Sequence, residues 1–292
     1  MRLISYHADG VLRPAFEDAG RIVDATAVHR FTGDPSVRRL LEAGPDDLAA
    51  AVAAARVAML GGSGSGPSLA DVRLGPPIAD PDKILCLGFN YAEHANELSA
   101  ELPTAPNIFA KFRNSLIGPS DAIVLPAASA EIDYEAELAA VIGRRCRNVS
   151  EAAALDFVFG YAAFNDVSAR DLQFATSQFT AGKAIDTFAP MGPGITLASE
   201  VGDPQSLRVR SRLNGTVMQD GSTARMVFSV AATIAFLSRT MTLEPGDIVA
   251  TGTPPGVGYK RVPPVYLQPG DVIEIEVERV GRIRNRVAAP AV

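Results

Sequence analysis

Basic clusters are scarce in this chain: 27 Lys and Arg stand against 33 Asp and Glu, for a formal net charge of -6, and no basic run exceeds the pair Arg144-Arg145. That balance excludes a nucleic-acid surface and leaves any steering of an anionic ligand to local charges. Long apolar runs are missing as well. None approaches the roughly 18 to 20 residues of a bilayer span, and the N-terminus lacks a basic segment followed by an apolar stretch and a small-residue cleavage site. No membrane partner is expected, and the expected location is cytoplasmic. Cysteine is limited to Cys86 and Cys146, far apart and in no nucleophile motif, so free thiols in a reducing compartment are expected. Nucleotide-binding signatures are absent too. The glycines of 61–66 lack the flanking strand and helix of a dinucleotide fingerprint, and Thr251-Gly252-Thr253-Pro254-Pro255-Gly256-Val257-Gly258 has no Lys-Ser/Thr after its glycines. There is no internal repeat.

What is present fits one large core, or one core with a small appendage, in 292 residues of which 47% are hydrophobic. Met1 to Asp24 alternates like two or three short strands with Asp9-Gly10 as a turn, and Asp46 to Leu60 is an Ala-rich helix. The run Gly61-Gly62-Ser63-Gly64-Ser65-Gly66-Pro67 interrupts the pattern and marks a boundary. Further on, Leu207 to Leu213, Asp247 to Ala250 and Val272 to Glu278 read as strands, Asn214-Gly215 as a hairpin turn, and Ser229 to Arg239 as an amphipathic helix.

The most informative segment is Ile132-Asp133-Tyr134-Glu135-Ala136-Glu137-Leu138-Ala139-Ala140-Val141-Ile142-Gly143. On a strand Glu135 and Glu137 share a face, and the apolar run after them carries the strand inward. Buried carboxylates need a cation, a proton or many donors, and hard oxygens suit Mg²⁺ or Ca²⁺ better than zinc. The alternative is the polar face of an edge strand, since Glu131 and Asp133 share the same parity. A second buried strand, Phe157 to Phe164, leads into Asn165-Asp166-Val167-Ser168-Ala169-Arg170-Asp171-Leu172-Gln173, which has helix-forming spacing. Asp166 is then either a helix N-cap or a third carboxylate. Asp166, Arg170 and Gln173 at i, i+4 and i+7 form one stripe, able to grip a carboxylate-bearing substrate beside a cation, unless Arg170 merely neutralises Asp166.

Metal-bound carboxylates make poor proton acceptors, so a base must come from elsewhere, and histidine is limited to His7, His29 and His94. The first two stand outside any polar constellation. His94 follows an apolar strand, and Glu97 lies at i+3, close enough on a helical turn to fix the imidazole tautomer and raise its basicity; an exposed helix with an incidental His/Glu pair is the alternative.

The Glu-x-Glu strand, the Gly160 to Gln173 segment, Gly182-Lys183-Ala184-Ile185-Asp186-Thr187-Phe188-Ala189-Pro190-Met191-Gly192-Pro193, the Thr251 to Gly258 turn and Lys83 to His94 together resemble the fumarylacetoacetate hydrolase superfamily, in that family's order and over residues 70 to 285 or so. The resemblance implies an α+β protein: a small N-terminal domain over 1–70 and, over 71–292, a catalytic domain built as a mixed β-sheet roll with few helices. It implies Glu135, Glu137 and Asp166 as ligands of Mg²⁺ or Mn²⁺, with Ca²⁺ as a crystallisation substitute. Lys183 would stabilise an enolate, Thr253 would hold a carboxylate or oxyanion, and residues 90–103 would form a lid. The His-x-x-Glu spacing resembles the acylpyruvate hydrolase and oxaloacetate decarboxylase branch. The leading expectation is thus a homodimeric hydrolase that cleaves a C–C bond of acylpyruvate-like or 2,4-diketo acids, with His94 and Glu97 activating water. A 2-oxo acid decarboxylase, isomerase or dehydratase on the same scaffold is the alternative, and a non-catalytic binding paralogue is a third possibility, disfavoured by the intact Glu135, Glu137, Asp166, Lys183 and His94.

Overall fold

The computed structural model describes residues 1–61, 66–93 and 103–290. Three strands open the chain: β1 (Arg2–Ala8), β2 (Val11–Asp18) and β3 (Arg21–Asp24). The β1–β2 turn is the expected Asp9-Gly10, both at positive φ. Helix Pro45–Leu60 follows, with Pro at its first position, Asp46 and Asp47 in its first turn, and Leu48, Ala51, Ala55 and Met59 as its buried stripe. Next come β4 (Ile84–Gly88), β5 (Asn107–Lys111), β6 (Leu116–Ile117) and β7 (Ile123–Val124). The centre of the chain supplies β8 (Ile132–Asp133), β9 (Ala136–Ile142), β10 (Val158–Asn165), β11 (Ser168–Ala169) and β12 (Ala189–Leu197). Last are β13 (Arg208–Leu213), β14 (Thr216–Ser222), helix Val230–Thr240, β15 (Ile248–Ala250), β16 (Val272–Val277) and β17 (Gly281–Ala288).

The strands form a ten-stranded mixed sheet in the order β3-β2-β1-β12-β10-β9-β15-β4-β5, with β6 beside β12, and a five-stranded sheet in the order β14-β13-β16-β17-β7. A two-stranded piece, β8 with β11, stands apart. Sheets dominate and helices are few, the α+β architecture expected. The N-terminal strands are not a separate layer: β1 pairs antiparallel with β12, so they extend the large sheet. The apolar cluster that includes Leu3, Phe16, Leu40 and Ala55 runs on into Ile84, Cys86, Val141 and Phe164.

β9 shows why its sequence reads as nearly continuous apolar residues. It lies between β10 and β15, and every one of its residues is buried. Leu138, Ala140 and Ile142 pack into one cluster, Ala139 and Val141 into the other, so both faces are covered. No helix among the described residues is long and apolar enough to cross a membrane.

Candidate active site

The antiparallel ribbon of β9 and β10 does not run straight into β8 and β11. β9 pairs with β10 as far as Ala136 opposite Asn165, and β8 pairs with β11 from Asp133 opposite Ser168. Tyr134, Glu135, Asp166 and Val167 occupy the break. Across it the Asp166 amide donates to the Glu135 carbonyl at 3.0 Å, and the Glu135 amide donates to Asn165 Oδ1 at 3.0 Å. Two carboxylates thus emerge where the ladder is interrupted, and Glu137 joins them from the second residue of β9.

Glu135, Glu137 and Asp166 are all buried, and each offers a carboxylate oxygen within 4.8 Å of the others. The sequence reading of three convergent acids is therefore met in space. Their surroundings differ. Lys183 Nζ donates to Glu135 Oε2 and to Asp166 Oδ2, each at 2.7 Å. Burial would lower this ammonium, but Asp166 and Glu135 outweigh it and hold Lys183 above the ordinary lysine value. Glu137 Oε2 accepts the Gly252 amide at 2.9 Å, whereas its Oε1 is buried with no hydrogen-bond partner among the described residues. Gly252 has φ +89 and a side chain there would meet Asn90 Cβ at 2.8 Å, so the turn after β15 reaches Glu137 only with glycine at this place. Burial, then the charges of Asp166 and Glu135, push the Glu137 carboxyl well above the usual carboxylate range.

The expected helix through 165–173 is corrected by the structure. Helical backbone spans only Arg170–Gln173, because Ser168 and Ala169 pair with β8 as strand. Asp166 is accordingly no N-cap, and the stripe of Asp166, Arg170 and Gln173 does not form. Ladder pairing with a neighbouring strand overrode a local spacing that any short polar stretch can show by accident. Arg170 turns instead to Asp133 and Glu135, with NH1 at 2.7 Å from Glu135 Oε1, and NH1 also donates to Gln173 Oε1 at 2.9 Å. Arg170 still reaches one of the three acids, Glu135, and Gln173 reaches Arg170, by a route the helical spacing did not contain.

Thr253 lies at the same cleft, but its hydroxyl donates to the Ala136 carbonyl at 2.9 Å and accepts from Gln219 Nε2 at 2.7 Å. It fastens the turn to β9. His94 and Glu97 lie outside the described residues. Two charged groups escaped the sequence reading. Lys111, at the end of β5, is fully buried and donates to Asp166 Oδ1 at 2.6 Å and to the Val167 carbonyl at 3.0 Å. Its burial lowers its affinity for a proton more than Asp166 raises it. Asp133 shares the parity of Glu135 and Glu137 and is fully buried, so the edge-strand alternative does not hold for it. A lysine closing the apolar run Ile108-Phe109-Ala110 was the available signal for the first, and an acid two residues before a buried pair for the second.

Above the charged floor the cleft is walled by Phe109, Phe174, Phe179 and Tyr259, with Phe109 and Phe179 edge to face at 5.7 Å between centroids. Phe174 and Tyr259, to which the sequence assigned no role, are part of that wall. The carboxylate set can hold a divalent cation: its donors are hard oxygens, and Glu137 Oε1 is a buried acceptor that no donor among the described residues satisfies. Both cysteines are buried and free.

Residues 83–288 match the family model described as fumarylacetoacetate (FAA) hydrolase, C-terminal. The chain belongs to the fumarylacetoacetate hydrolase family. Within that family it is 41% identical over 98% of its length, and 90% of the relative's, to oxaloacetate tautomerase fahd2, mitochondrial, of Xenopus laevis. Among solved structures it resembles fumarylacetoacetate hydrolase from Exiguobacterium antarcticum, at 38% identity and TM-score 0.84 over 99% of both chains. It also resembles maleylpyruvate hydrolase from Sphingobium sp. SYK-6, solved with manganese(II) and pyruvate, at 33% identity and TM-score 0.83 over the whole of both chains. The family resemblance read from the five motifs is therefore shown.

Proposed function

We propose that this protein is a divalent-metal-dependent enzyme of small 2-oxo acids that interconverts their keto and enol forms, with an oxaloacetate-like acid as substrate. The observation that carries the reading is Lys183 bridging Glu135 and Asp166 beneath the cleft, a buried ammonium kept protonated where an enolate oxygen would form. Glu135, Glu137 and Asp166 would hold the metal, Mg²⁺ or Mn²⁺, which when bound would polarise the 2-oxo acid group as a Lewis acid. With a divalent ion bound and the acids ionised, four buried carboxylates (Asp133, Glu135, Glu137, Asp166) and three buried cations (Lys111, Arg170, Lys183) would leave one net positive charge, which a single ligand carboxylate neutralises. Arg170 and Gln173 orient that carboxylate. The aromatic wall keeps water from the enolate, and Lys183 stabilises its oxygen by hydrogen bonding. The proton leaving the adjacent carbon needs a base, and His94 assisted by Glu97 is the candidate that the sequence offers. The full-length similarity to a named oxaloacetate tautomerase supports this reaction over the alternatives.

A second reading, cleavage of the C–C bond of acylpyruvates by water activated at His94 and Glu97, is favoured by the full-length likeness to maleylpyruvate hydrolase. Both readings need a stabilised enolate, formed by proton loss in the first and expelled when the C–C bond breaks in the second, and they share one test. Loss of enol absorbance is followed for oxaloacetate, acetylpyruvate and fumarylpyruvate with Mn²⁺ or Mg²⁺ and then with EDTA, alongside release of CO₂. Accelerated enol–keto exchange of oxaloacetate, abolished by EDTA and reduced about 10²- to 10³-fold in Lys183→Met, is the expected result. Metal-loaded protein that accelerates none of these conversions would sink the proposal, and cleavage of acylpyruvates without tautomerisation would favour the second reading.

A further inference from the structure

Asp133 is fully buried and lies outside the three-carboxylate cluster. Its Oδ1 accepts the amides of Tyr134 at 2.8 Å and Gly258 at 2.7 Å. Its Oδ2 accepts the Tyr259 amide at 3.0 Å and Arg170 Nε at 3.0 Å, and Arg170 NH2 lies 2.9 Å away. Four hydrogen bonds, two to each oxygen, fill the lone-pair positions of one carboxylate, which leaves none directed at a metal. Apart from the adjacent Tyr134 amide, the partners come from two distant parts of the chain, the short helix after β11 and the turn Gly258–Lys260. Glycine is needed for that approach, because a Cβ at 258 would stand 2.6 Å from Asp133 Oδ1 and 2.0 Å from the Val265 carbonyl oxygen. Held in this way, the Arg170 guanidinium carbon lies 4.3 Å from the centre of the Tyr259 ring while NH1 reaches Glu135. Arg170, Tyr259 and Glu135 all line the cleft.

We propose that Asp133 is a positioning residue that locks Arg170 and the Gly258–Tyr259 turn into one unit, preassembling the wall that receives the carboxylate end of the ligand. The proposal rests on the reading of Arg170 as the carboxylate-binding group. A preassembled wall saves the ordering cost at each binding event, so its loss weakens ligand binding without touching the metal. Cation and ligand therefore depend on different acids: Glu135, Glu137 and Asp166 for the first, Asp133 for the second.

The test is Asp133→Asn, which keeps the shape and removes the charge. Manganese affinity is measured by calorimetry, as is the affinity of the manganese-loaded protein for oxalate, a stable pair of carboxylates that needs no turnover. Deuterium exchange is followed over residues 256–261. The expected results are manganese affinity within about twofold of the parent, oxalate affinity reduced about tenfold, and faster exchange of the Gly258 and Tyr259 amides. A second variant, Tyr259→Ala, keeps Asp133 and its backbone partners. It is expected to weaken oxalate binding while Gly258 stays protected, and it decides the matter if Asp133→Asn does not fold. Parent-like oxalate affinity in the folded Asp133→Asn protein, or in Tyr259→Ala where Asp133→Asn fails to fold, overturns the proposal. So does a tenfold loss of manganese affinity in Asp133→Asn, which would make Asp133 a ligand. A parent protein that binds oxalate through this wall yet converts none of the 2-oxo acids would sink the proposed reaction and leave the positioning role standing.

Discussion

Glu137 is the residue under the greatest electrostatic constraint at the site. Half of its carboxylate has a donor, the Gly252 amide; the other oxygen is buried without one among the described residues. Its raised proton affinity makes the sign of a pH effect definite. A carboxyl raised by folding binds its proton more readily folded than unfolded, so the metal-free protein has that stability in full below the ordinary glutamate value, about 4.3, and loses it as pH climbs through the raised one. Glu137→Gln should flatten this slope in urea unfolding with EDTA between about pH 5 and 8, and should also abolish the response to divalent metal. Lys111 is constrained in the opposite sense, as a buried cation against Asp166. Lys111→Met leaves Asp166 Oδ1 without that partner, and a loss of about 3 to 5 kcal/mol in unfolding free energy is expected. Neither effect was legible beforehand, because desolvation and partner count are properties of the folded surroundings.

At the level of elements, the pieces that were legible are those whose signals are local. Asp9-Gly10 and Asn214-Gly215 make their turns at positive φ, as such pairs do. Helix Val230–Thr240 starts where expected, capped by Ser229, whose Oγ accepts the Ala232 amide at 2.9 Å. Ser229→Ala should therefore cost about 1 kcal/mol, measured by thermal or denaturant unfolding, with catalysis unchanged. The segment after Asn165 failed the same kind of reading. Its polar residues suit a helix, but strand pairing of Ser168 and Ala169 with β8 wins, since it satisfies backbone groups that a helix start at Asp166 would leave to solvent or side chains. The interruption of the ribbon that results is what exposes Glu135 and Asp166 to one another.

Across the whole molecule, the site depends on assembly of distant segments. β15 runs antiparallel beside β9, with β4 parallel to it on its other side, so the turn carrying Gly252 and Thr253 comes down on Glu137, and β5 brings Lys111 from the edge. The N-terminal strands extend this sheet through β1 and β12, which joins the two parts of the chain on either side of the Gly/Ser run. Because the three acids are brought together only by folding, a metal binding there stabilises the native state by mass action, about 2.7 kcal/mol at a free concentration a hundredfold above the dissociation constant. Thermal unfolding should shift upward by several degrees with Mn²⁺, return with EDTA, and fail to shift in Asp166→Asn.

The sequence by itself determined the family, the local elements and the carboxylate pair of Glu135 and Glu137, because period-two alternation, turn chemistry and an acid-bearing apolar run are written in neighbouring residues. Lys183 was legible through its motif. Only the tertiary structure decided that Asp133 serves Arg170 rather than the carboxylate cluster, that Lys111 neutralises Asp166, that Thr253 braces a turn, and that aromatic rings from three segments close over the floor. The reason is physical: a buried charge is defined by whichever donors the rest of the fold brings within about 3 Å of it, and those donors lie tens of residues away along the chain.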